Sequence, residues 1–492
     1  MGLSCAILSL GIAARAERRN PRSFHVDPRR GLDDATGDAA SPVRSPASLV
    51  GRLQPGDTVV LARGRYDQPV QFTDSGTAES PITIRSDEGH QPIVSRTTWT
   101  ITDASHIVIQ GLTFRNCSPG LVIGPNASDN AVEDCRFENC PPKGHHGYER
   151  AIVGQAPGAH RNRIENSVLT RPYEPLNGEG AEGIQVVEGN QHWVFRGNRI
   201  SGYMYGLDMG YQHGNGVPGY ILVEDNEFFD CHEGLHIKIS DNIIRGNYIH
   251  DLRNVGWMMS ATGVFLRSSP RTTVENNRIE RAGGAGIRAL GHDQLIRNNL
   301  IVDTPTGIWL SKHGYGAATN SHWLVHNTIV GAILPLWLSG GSQAYVFNNI
   351  FVGAPDGTST IFAAGYSPTN PLETATTVFP DPKWFEHYAG ASGLPDPPAR
   401  FVADGNLYSN IDPLPRRYPP VTDEGADAET QTGHNAQGDP MFVDPEGSDY
   451  RLRPGSPARA AGRALPNCPH DAADRPRSAT RPDSGAFEAG GD

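Results

Sequence analysis

The sequence lacks the patterns of several large classes of protein. No part of it shows a sustained 3.6-residue apolar period, which excludes helical solenoids. Acidic residues outnumber basic ones by 54 to 42, for a formal net charge of −12, which argues against nucleic acid as a partner. An acidic polysaccharide stays compatible, because a basic groove can lie on an acidic body. Beyond the N-terminal segment, no apolar run approaches the roughly 18 residues that span a membrane.

Cysteine is scarce, and its spacing excludes the common metal and redox motifs. The chain has six cysteines and no C-x-x-C pair, so zinc or redox chemistry is not indicated. Cys117, Cys140 and Cys231 recur in similar contexts, FRNC, FENC and FFDC, which indicates one structural column. We expect buried small hydrophobic residues, with a Cys117–Cys140 disulfide as an option after export.

The N-terminus resembles a secretory signal. An apolar stretch, LSCAILSLGIA, is followed by Ala14-Arg15-Ala16, an A-x-A-like cleavage site. A basic segment before the apolar stretch is missing, so a disordered start is the alternative. We expect a signal peptide at 1–16 and a secreted or periplasmic protein.

A short phrase with asparagine at its centre recurs through the middle of the chain. RGNRI, EDNEF, RGNYI, ENNRI, RNNLI, VHNTI and FNNIF each precede a short strand-like segment. Their third residues are Asn198, Asn226, Asn247, Asn277, Asn299, Asn327 and Asn349. The upstream segments IQGLTF, VEDCRF and IENSVL extend the series, with Gly111, Cys135 and Asn166 in the equivalent position. The asparagines are 21–30 residues apart, which is typical of stacked coils.

A second phrase, x-G-φ-x-φ-x, lies between the asparagines and has the alternation of a half-buried strand. It occurs as EGIQVV, YGLDMG, EGLHIK, TGVFLR, AGIRAL and TGIWLS. One such strand in each coil, together with a turn asparagine that can stack up the coils, predicts a right-handed parallel β-helix. We therefore expect an all-β solenoid: the helix at 24–352, a Pro/Gly-rich insertion at 353–402, and a last coil with a closing segment at 403–492.

Aligning the second phrase places chemically active residues on one face, because coils stack about 4.8 Å apart. The positions before each glycine are Glu182, Tyr205, Glu233, Thr262, Ala285 and Thr306. The positions two residues after it are Gln185, Asp208, His236, Phe265, Arg288 and Trp309. The positions four residues after it are Val187, Gly210, Lys238, Arg267, Leu290 and Ser311. Polar and aromatic groups along an open face suit a sugar chain, although such outward residues are often merely solvated.

The neighbouring cations Lys238 and Arg267 suit β-elimination on a uronate. Removal of the C5 proton needs an uncharged base, and a cation one strand away favours the neutral form of a lysine. The carboxylate of the sugar must be neutralised to hold the enolate-like charge. Arg267 or a tyrosine can then protonate or stabilise the leaving oxygen.

The segment 220–299 resembles polysaccharide lyase family 6, the alginate lyases and chondroitinase B-type enzymes. EGLHIKISDNIIRGN is similar to the family segment with a glutamate five residues before the base, and GVFLRSSPRTTVENN to the segment with the catalytic arginine. AGIRALGHDQ resembles the next family phrase and carries Arg288 and His292. The resemblance spans roughly 50–350 and implies Lys238 as base and Arg267 as its partner.

The resemblance also implies a calcium site, and here the sequence departs from the family. A second family glutamate is replaced by Cys231, which leaves Glu233 and Asp208 as ligand candidates where calcium needs six to eight oxygens. Either calcium is bound differently, or a cation such as Arg288 replaces it, or activity is altered.

The function expected is cleavage of alginate or a glycosaminoglycan by a monomeric lyase that binds neither nucleic acid nor membrane. We expect the substrate-binding residues to be Tyr205, His236, Phe265, Arg288, His292 and Trp309. Three alternatives stay open. They are a glycoside hydrolase using Asp208 and Glu233, a uronate C5-epimerase, and a non-catalytic carbohydrate-binding β-helix.

Overall fold

The structure is a computed structural model and describes most of the chain. Described are residues 20–142, 149–155, 157–173, 180–210, 217–254, 261–311, 320–339, 342–357, 359–364, 400–417, 430–432, 434–465 and 468–489. The expected signal peptide at 1–16 lies outside them, as does most of the expected insertion at 353–402. Neither expectation is tested by the structure.

The described residues form a right-handed parallel β-helix, as the repeat predicts. Three parallel sheets of 15, 14 and 13 strands, here called A, B and C, run the length of the described chain. Each coil contributes one strand to A, then B, then C, and pairs only with the coils before and after it. Within the described residues, the one helical segment is a 3-10 turn at Pro46–Leu49.

The strand bounds follow the repeat closely. The strands of sheet A are Ser23–Val26, Thr58–Leu61, Ile82–Ser86, Ile107–Gln110, Ala131–Glu133, Arg163–Glu165, Val194–Arg196, Leu222–Glu224, Ile243–Arg245, Thr273–Glu275, Gln294–Arg297, Asn320–Val325, Ser342–Phe347, Arg400–Asp404 and Thr430–Thr432. The strands of sheet B are Arg65–Tyr66, Ile93–Ser95, Thr113–Arg115, Arg136–Glu138, Val168–Thr170, Arg199–Ser201, Glu227–Phe229, Tyr248–Leu252, Arg278–Ala282, Leu300–Val302, Thr328–Ala332, Ile350–Gly353, Leu407–Ser409 and Ala436–Gln437. The strands of sheet C are Val70–Phe72, Trp99–Ile101, Leu121–Ile123, Arg150–Gly154, Glu182–Val186, Tyr205–Met209, Glu233–Ile237, Thr262–Arg267, Ala285–Leu290, Thr306–Ser311, Leu334–Ser339, Thr360–Ala364 and Asp412–Arg417.

The asparagine phrase forms the corner between sheets A and B. Its second residue has left-handed backbone, which suits glycine, asparagine and aspartate: Gly197, Asp225, Gly246, Asn276, Asn298, His326, Asn348 and Gly405 have φ between 55° and 69°. Its third residue stacks inside the coil. The Oδ1 of Asn277, for example, accepts from the backbone N of Asn247 at 3.0 Å and from its Nδ2 at 2.9 Å.

The asparagine ladder begins later than the sequence indicates. Ser167, and not Asn166, precedes Asn198 in the ladder, because the Oδ1 of Asn198 accepts from the backbone N of Ser167 at 2.9 Å. The placement of Asn166 was therefore wrong by one residue. Gly111 was also misplaced by one, since Glu133 pairs with Gln110 and the ladder position of that coil is then Leu112.

The glycines of the second phrase are required by the close approach of neighbouring coils. A Cβ at Gly234 would lie 2.7 Å from the carbonyl oxygen of Gly263, and one at Gly263 would lie 2.5 Å from that of Gly286. The residue after each glycine points into the bore, where Leu235 and Val264 have no exposed surface. Glycine at this position therefore lets neighbouring coils approach without a clash, while the apolar residue after it fills the bore.

The C-terminal segment packs along the side of the helix. Its antiparallel pair, Phe442–Asp444 and Asp449–Leu452, joins a cluster of buried apolar residues with sheet B, including Leu300 and Ile350. Arg477 is buried and donates from Nη2 to the Oδ1 of Asn298 at 2.9 Å. In the described part of the chain, no helix is long and apolar enough to cross a bilayer.

The cysteines of the described chain are buried thiols, as expected. Cys117, Cys140 and Cys231 have at most 1% of their surface exposed. The backbone N–H of Cys117 donates to the Sγ of Cys140 at 3.2 Å, so the two residues lie on adjacent coils in contact.

Candidate active site

Sheet C holds the candidate residues in rows. Its strands pair so that Asp208, His236 and Phe265 are direct neighbours, and the same row continues to Arg288 and Trp309. The register predicted from the repeat is confirmed. The roles of these side chains stay a proposal.

The rows are buried, which corrects the expectation of an open, solvated face. Residues with relative exposures of 2–8% are Tyr205, Asp208, Glu233, His236, Lys238, Phe265, Arg288 and Trp309. Arg267 is partly exposed. His292 lies in the corner beyond its strand, with 35% of its side chain exposed and its Nδ1 2.8 Å from the Oδ2 of Asp293. The structure therefore separates His292 from the buried rows.

Lys238 forms a buried ion pair with Asp208. Its Nζ donates to the Oδ1 of Asp208 at 2.7 Å and to the carbonyl oxygen of Gly210 at 3.3 Å. The other oxygen of Asp208, Oδ2, accepts from the Nε2 of Gln185 at 3.2 Å. The absence of a side chain at Gly210 leaves room for Lys238, since a Cβ there would lie 3.0 Å from the Cβ of Lys238. The lysine therefore has a carboxylate within direct proton-transfer distance.

Glu233 and His236 are close, buried and uncharged near neutral pH. Burial raises the pKa of Glu233 to about 8 against the opposing effect of the nearby cations, Arg288 first. Burial, with further contributions from Lys238, Arg267 and Arg288, lowers the pKa of His236 well below its usual range. The Nδ1 of His236 lies 3.1 Å from the Oε2 of Glu233, but neither atom has a well-aligned hydrogen bond within the described residues. We interpret this contact as a neutral pair rather than a salt bridge.

Aromatic rings surround Arg288 and His236, which lie in the row two residues after the glycine of the phrase. The guanidinium of Arg288 lies 4.7 Å from the ring centroid of Phe265 and 4.0 Å from that of Trp309. His236 stacks on Phe265 at 5.0 Å and meets Tyr205 edge-on at 4.7 Å. Rings on the faces of a guanidinium stabilise its charge by cation–π attraction when water is excluded.

Sequence reasoning missed residues that extend the rows in both directions. Arg150 is one of them, and its Nε donates at 3.0 Å to the buried carboxylate of Glu182, which the alignment already places in a row. Burial, reinforced by Asp208, raises the pKa of Glu182 to about 7. Trp337 stacks on Trp309 at 4.2 Å. The strands of Arg150 and Trp337 read RAIVG and LPLWLS and lack the glycine of the phrase, so the phrase does not identify them.

The carboxylates of the site do not fit a calcium ion. Both oxygens of Asp208 are bound by Lys238 and Gln185, which leaves Glu233 as the other carboxylate of the pair. Among the described residues, no group of three or more His, Cys, Asp or Glu side chains is arranged to hold a metal ion. Calcium needs six to eight oxygen ligands, and this pair offers neither the number nor the charge.

Comparison with known proteins supports the fold. Residues 182–351, about a third of the chain, match the family described as right handed beta helix region. A pectate lyase of Emericella nidulans is 26% identical over 240 residues, which cover 44% of this chain and 55% of that protein.

Solved structures agree in architecture at low sequence identity. The family 6 alginate lyase AlyGC has a TM-score of 0.55 at 17% identity, covering 84% of this chain and 53% of that one. A protein named XylC, solved with xylose, has a TM-score of 0.56 at 12% identity, covering 95% and 98%. The chain spans about half the length of the pectate lyase and of AlyGC. At these identities the solved structures establish a shared right-handed β-helix and nothing finer.

Proposed function

We propose that this protein is a secreted or periplasmic lyase that cleaves a uronate-containing polysaccharide, alginate or a glycosaminoglycan, by β-elimination. The observation that carries the proposal is the buried cluster on sheet C, where Lys238 is held against Asp208 and two arginines, Arg267 and Arg288, follow on the next two coils. Lyases among the similar proteins support the reaction class. We expect the protein to act as a monomer.

In this mechanism Lys238 is the base. Nζ must be uncharged to act as the base, and Oδ1 of Asp208, 2.7 Å away, is the acceptor that we assign to its ammonium proton. Nζ then takes the C5 proton of the uronate, and the electron pair of the C–H bond forms the C4–C5 double bond. The C4–O bond breaks, and the leaving oxygen takes a proton from Arg267 or a tyrosine hydroxyl.

The remaining candidate residues bind the sugar chain in this proposal. Tyr205, Phe265 and Trp309 line the site with aromatic rings, and His236 and Arg288 place polar groups between them. His292 lies further out and can contact the substrate only at the edge of the site. Because the rows are 2–8% exposed, we expect binding to be accompanied by a movement that uncovers them.

The test is activity on a panel of alginate, dermatan, chondroitin and other polyuronates, followed by ultraviolet absorbance of the unsaturated product. Lys238→Ala and Arg267→Ala should each lower the rate by at least about 100-fold, the scale of a lost general acid or base. Arg196→Ala is the control, since Arg196 lies on sheet A and pairs with Glu224. If both site variants keep full activity while the control behaves as wild type, the site assignment is wrong.

A glycoside hydrolase is the second candidate, favoured by one observation. Asp208 is paired with Lys238 at 2.7 Å, while burial raises the pKa of Glu233, on the adjacent coil, to about 8. Two carboxyl groups with opposite protonation are what acid–base hydrolysis requires. A hydrolase would release reducing ends without the absorbance of an unsaturated sugar, so the same panel separates the two reactions.

A further inference from the structure

The acidic substrate of the proposed reaction poses a charge problem at this site. The carboxylate of the uronate must be neutralised before C5 can lose its proton, because the intermediate carries further negative charge on that group. The family resemblance implies calcium for this task. The carboxylates present do not fit calcium, since both oxygens of Asp208 are bound by Lys238 and Gln185 and the described residues hold no cluster of three or more His, Cys, Asp or Glu side chains arranged for a metal ion.

Arg288 has the position and the surroundings for this task. It lies two coils from Glu233 and His236, in the row that contains His236 and Asp208. Its guanidinium lies between the rings of Phe265 and Trp309, at 4.7 and 4.0 Å, and 3% of the residue is exposed. A guanidinium binds a carboxylate edge-on in its own plane, and the rings at its faces fix that plane.

We infer that the site binds the uronate carboxylate without a divalent cation, through the guanidinium of Arg288 held between Phe265 and Trp309. The inference rests on the proposed function, since it concerns how that substrate is held. It differs from a calcium-dependent lyase in a measurable way, because binding should not respond to chelators.

The experiment is calorimetric titration of full-length Arg267→Ala protein with defined oligouronates, because this variant should cleave its ligand at least about 100-fold more slowly and keeps the pair of Lys238 with Asp208. Each titration is run in chelator and again with added calcium, and a neutral oligosaccharide of equal length serves as the ligand control. Arg288→Gln is compared with Arg199→Gln, both in the Arg267→Ala background. Arg199 is the matched control, since it also lies beside a ring, 4.7 Å from that of Phe229, but on sheet B and in an ion pair with Glu227.

We expect equal affinity for the oligouronate, within about twofold, with chelator and with calcium. Arg288→Gln should weaken binding by at least about tenfold in both buffers, the size of one charge-assisted contact, and Arg199→Gln should not. Binding that occurs only with calcium would overturn the inference and leave the proposed function standing. Unchanged affinity in Arg288→Gln would overturn it as well.

Two further readouts keep the outcomes distinct. If Arg288→Gln does not fold by circular dichroism, Arg288→Lys replaces it, because lysine keeps the charge and loses the planar fork; unchanged affinity again overturns the inference. If no oligouronate binds in either buffer and wild-type protein forms no unsaturated product, the proposed function itself fails.

Discussion

Replacement of Asn277 by alanine should destabilise the β-helix more than any exposed substitution on the same coil. The side chain of Asn277 is 1% exposed, and its Oδ1 accepts from the backbone N and the Nδ2 of Asn247. Its own Nδ2 donates to the carbonyl oxygen of Ile244 at 2.9 Å and to the Oδ1 of Asn299 at 3.0 Å.

The magnitude follows from which of these partners lose their hydrogen bonds. The Nδ2 of Asn247 keeps two carbonyl partners, Val223 and Arg245, and the Oδ1 of Asn299 keeps the backbone N–H of residue 277. The backbone N–H of Asn247 loses its hydrogen-bond acceptor in a buried site, which costs about 1–3 kcal/mol. With about 1 kcal/mol for the lost bond to Ile244, the free energy of unfolding should fall by roughly 2–4 kcal/mol.

The assay is urea unfolding followed by far-ultraviolet circular dichroism, with Asn435→Ala as the matched control. Asn435 is the last described rung and is partly exposed, so water can replace the hydrogen bonds it makes with Asn406. We expect Asn435→Ala to lower stability by about 1 kcal/mol or less. Equal losses in the two variants, or a loss below about 0.5 kcal/mol for Asn277→Ala, would refute the account of the ladder.

Three further predictions concern the site. Glu233→Gln should flatten the pH dependence of stability. The pKa of Glu233 in the folded state, about 8, lies above the ordinary 4.5, so its contribution to wild-type stability is full below pH 4.5 and is lost as pH rises through 8. If the urea midpoints at about pH 5 and pH 9 differ equally in the wild type and the variant, the prediction is contradicted. Asp208→Asn leaves the Lys238 ammonium buried without its carboxylate, so unfolding free energy should fall by about 3–5 kcal/mol, and an unchanged melting temperature would count against the ion pair. Gly234→Ala forces a Cβ to within 2.7 Å of the Gly263 oxygen and should cost about 1–3 kcal/mol in thermal unfolding; wild-type melting would show that the coils can separate there.

The repeat made the fold and the register predictable from sequence. Asparagine and glycine recur because a left-handed corner, a buried ladder and a close coil contact each admit few residue types. The same reasoning failed where another residue type serves the same place. Ser167 continues the ladder with a hydroxyl, accepting from the backbone N of Cys135 at 3.1 Å, and the asparagine phrase points to the neighbouring Asn166 instead.

The side-chain contacts of the site were less predictable. Row alignment put Lys238 beside Arg267, but the side chain of Lys238 crosses over Gly210 to reach Asp208 on the preceding coil. Aligning the strand phrases predicts the position of each Cα, whereas a long side chain can contact neighbours in either of two rows. Burial was also missed, because it depends on the whole chain around the rows and not on the strand phrase.

The asparagine ladder gives the solenoid an electrical direction. From Asn198 to Asn435, nine amides in succession each accept from the coil before them. Their carbonyl oxygens therefore all face the N-terminal end, and their amide dipoles add along the axis as peptide dipoles add along an α-helix. The two ends of the stack are chemically unlike: a coil added before the row must offer donors, and one added after it must offer acceptors.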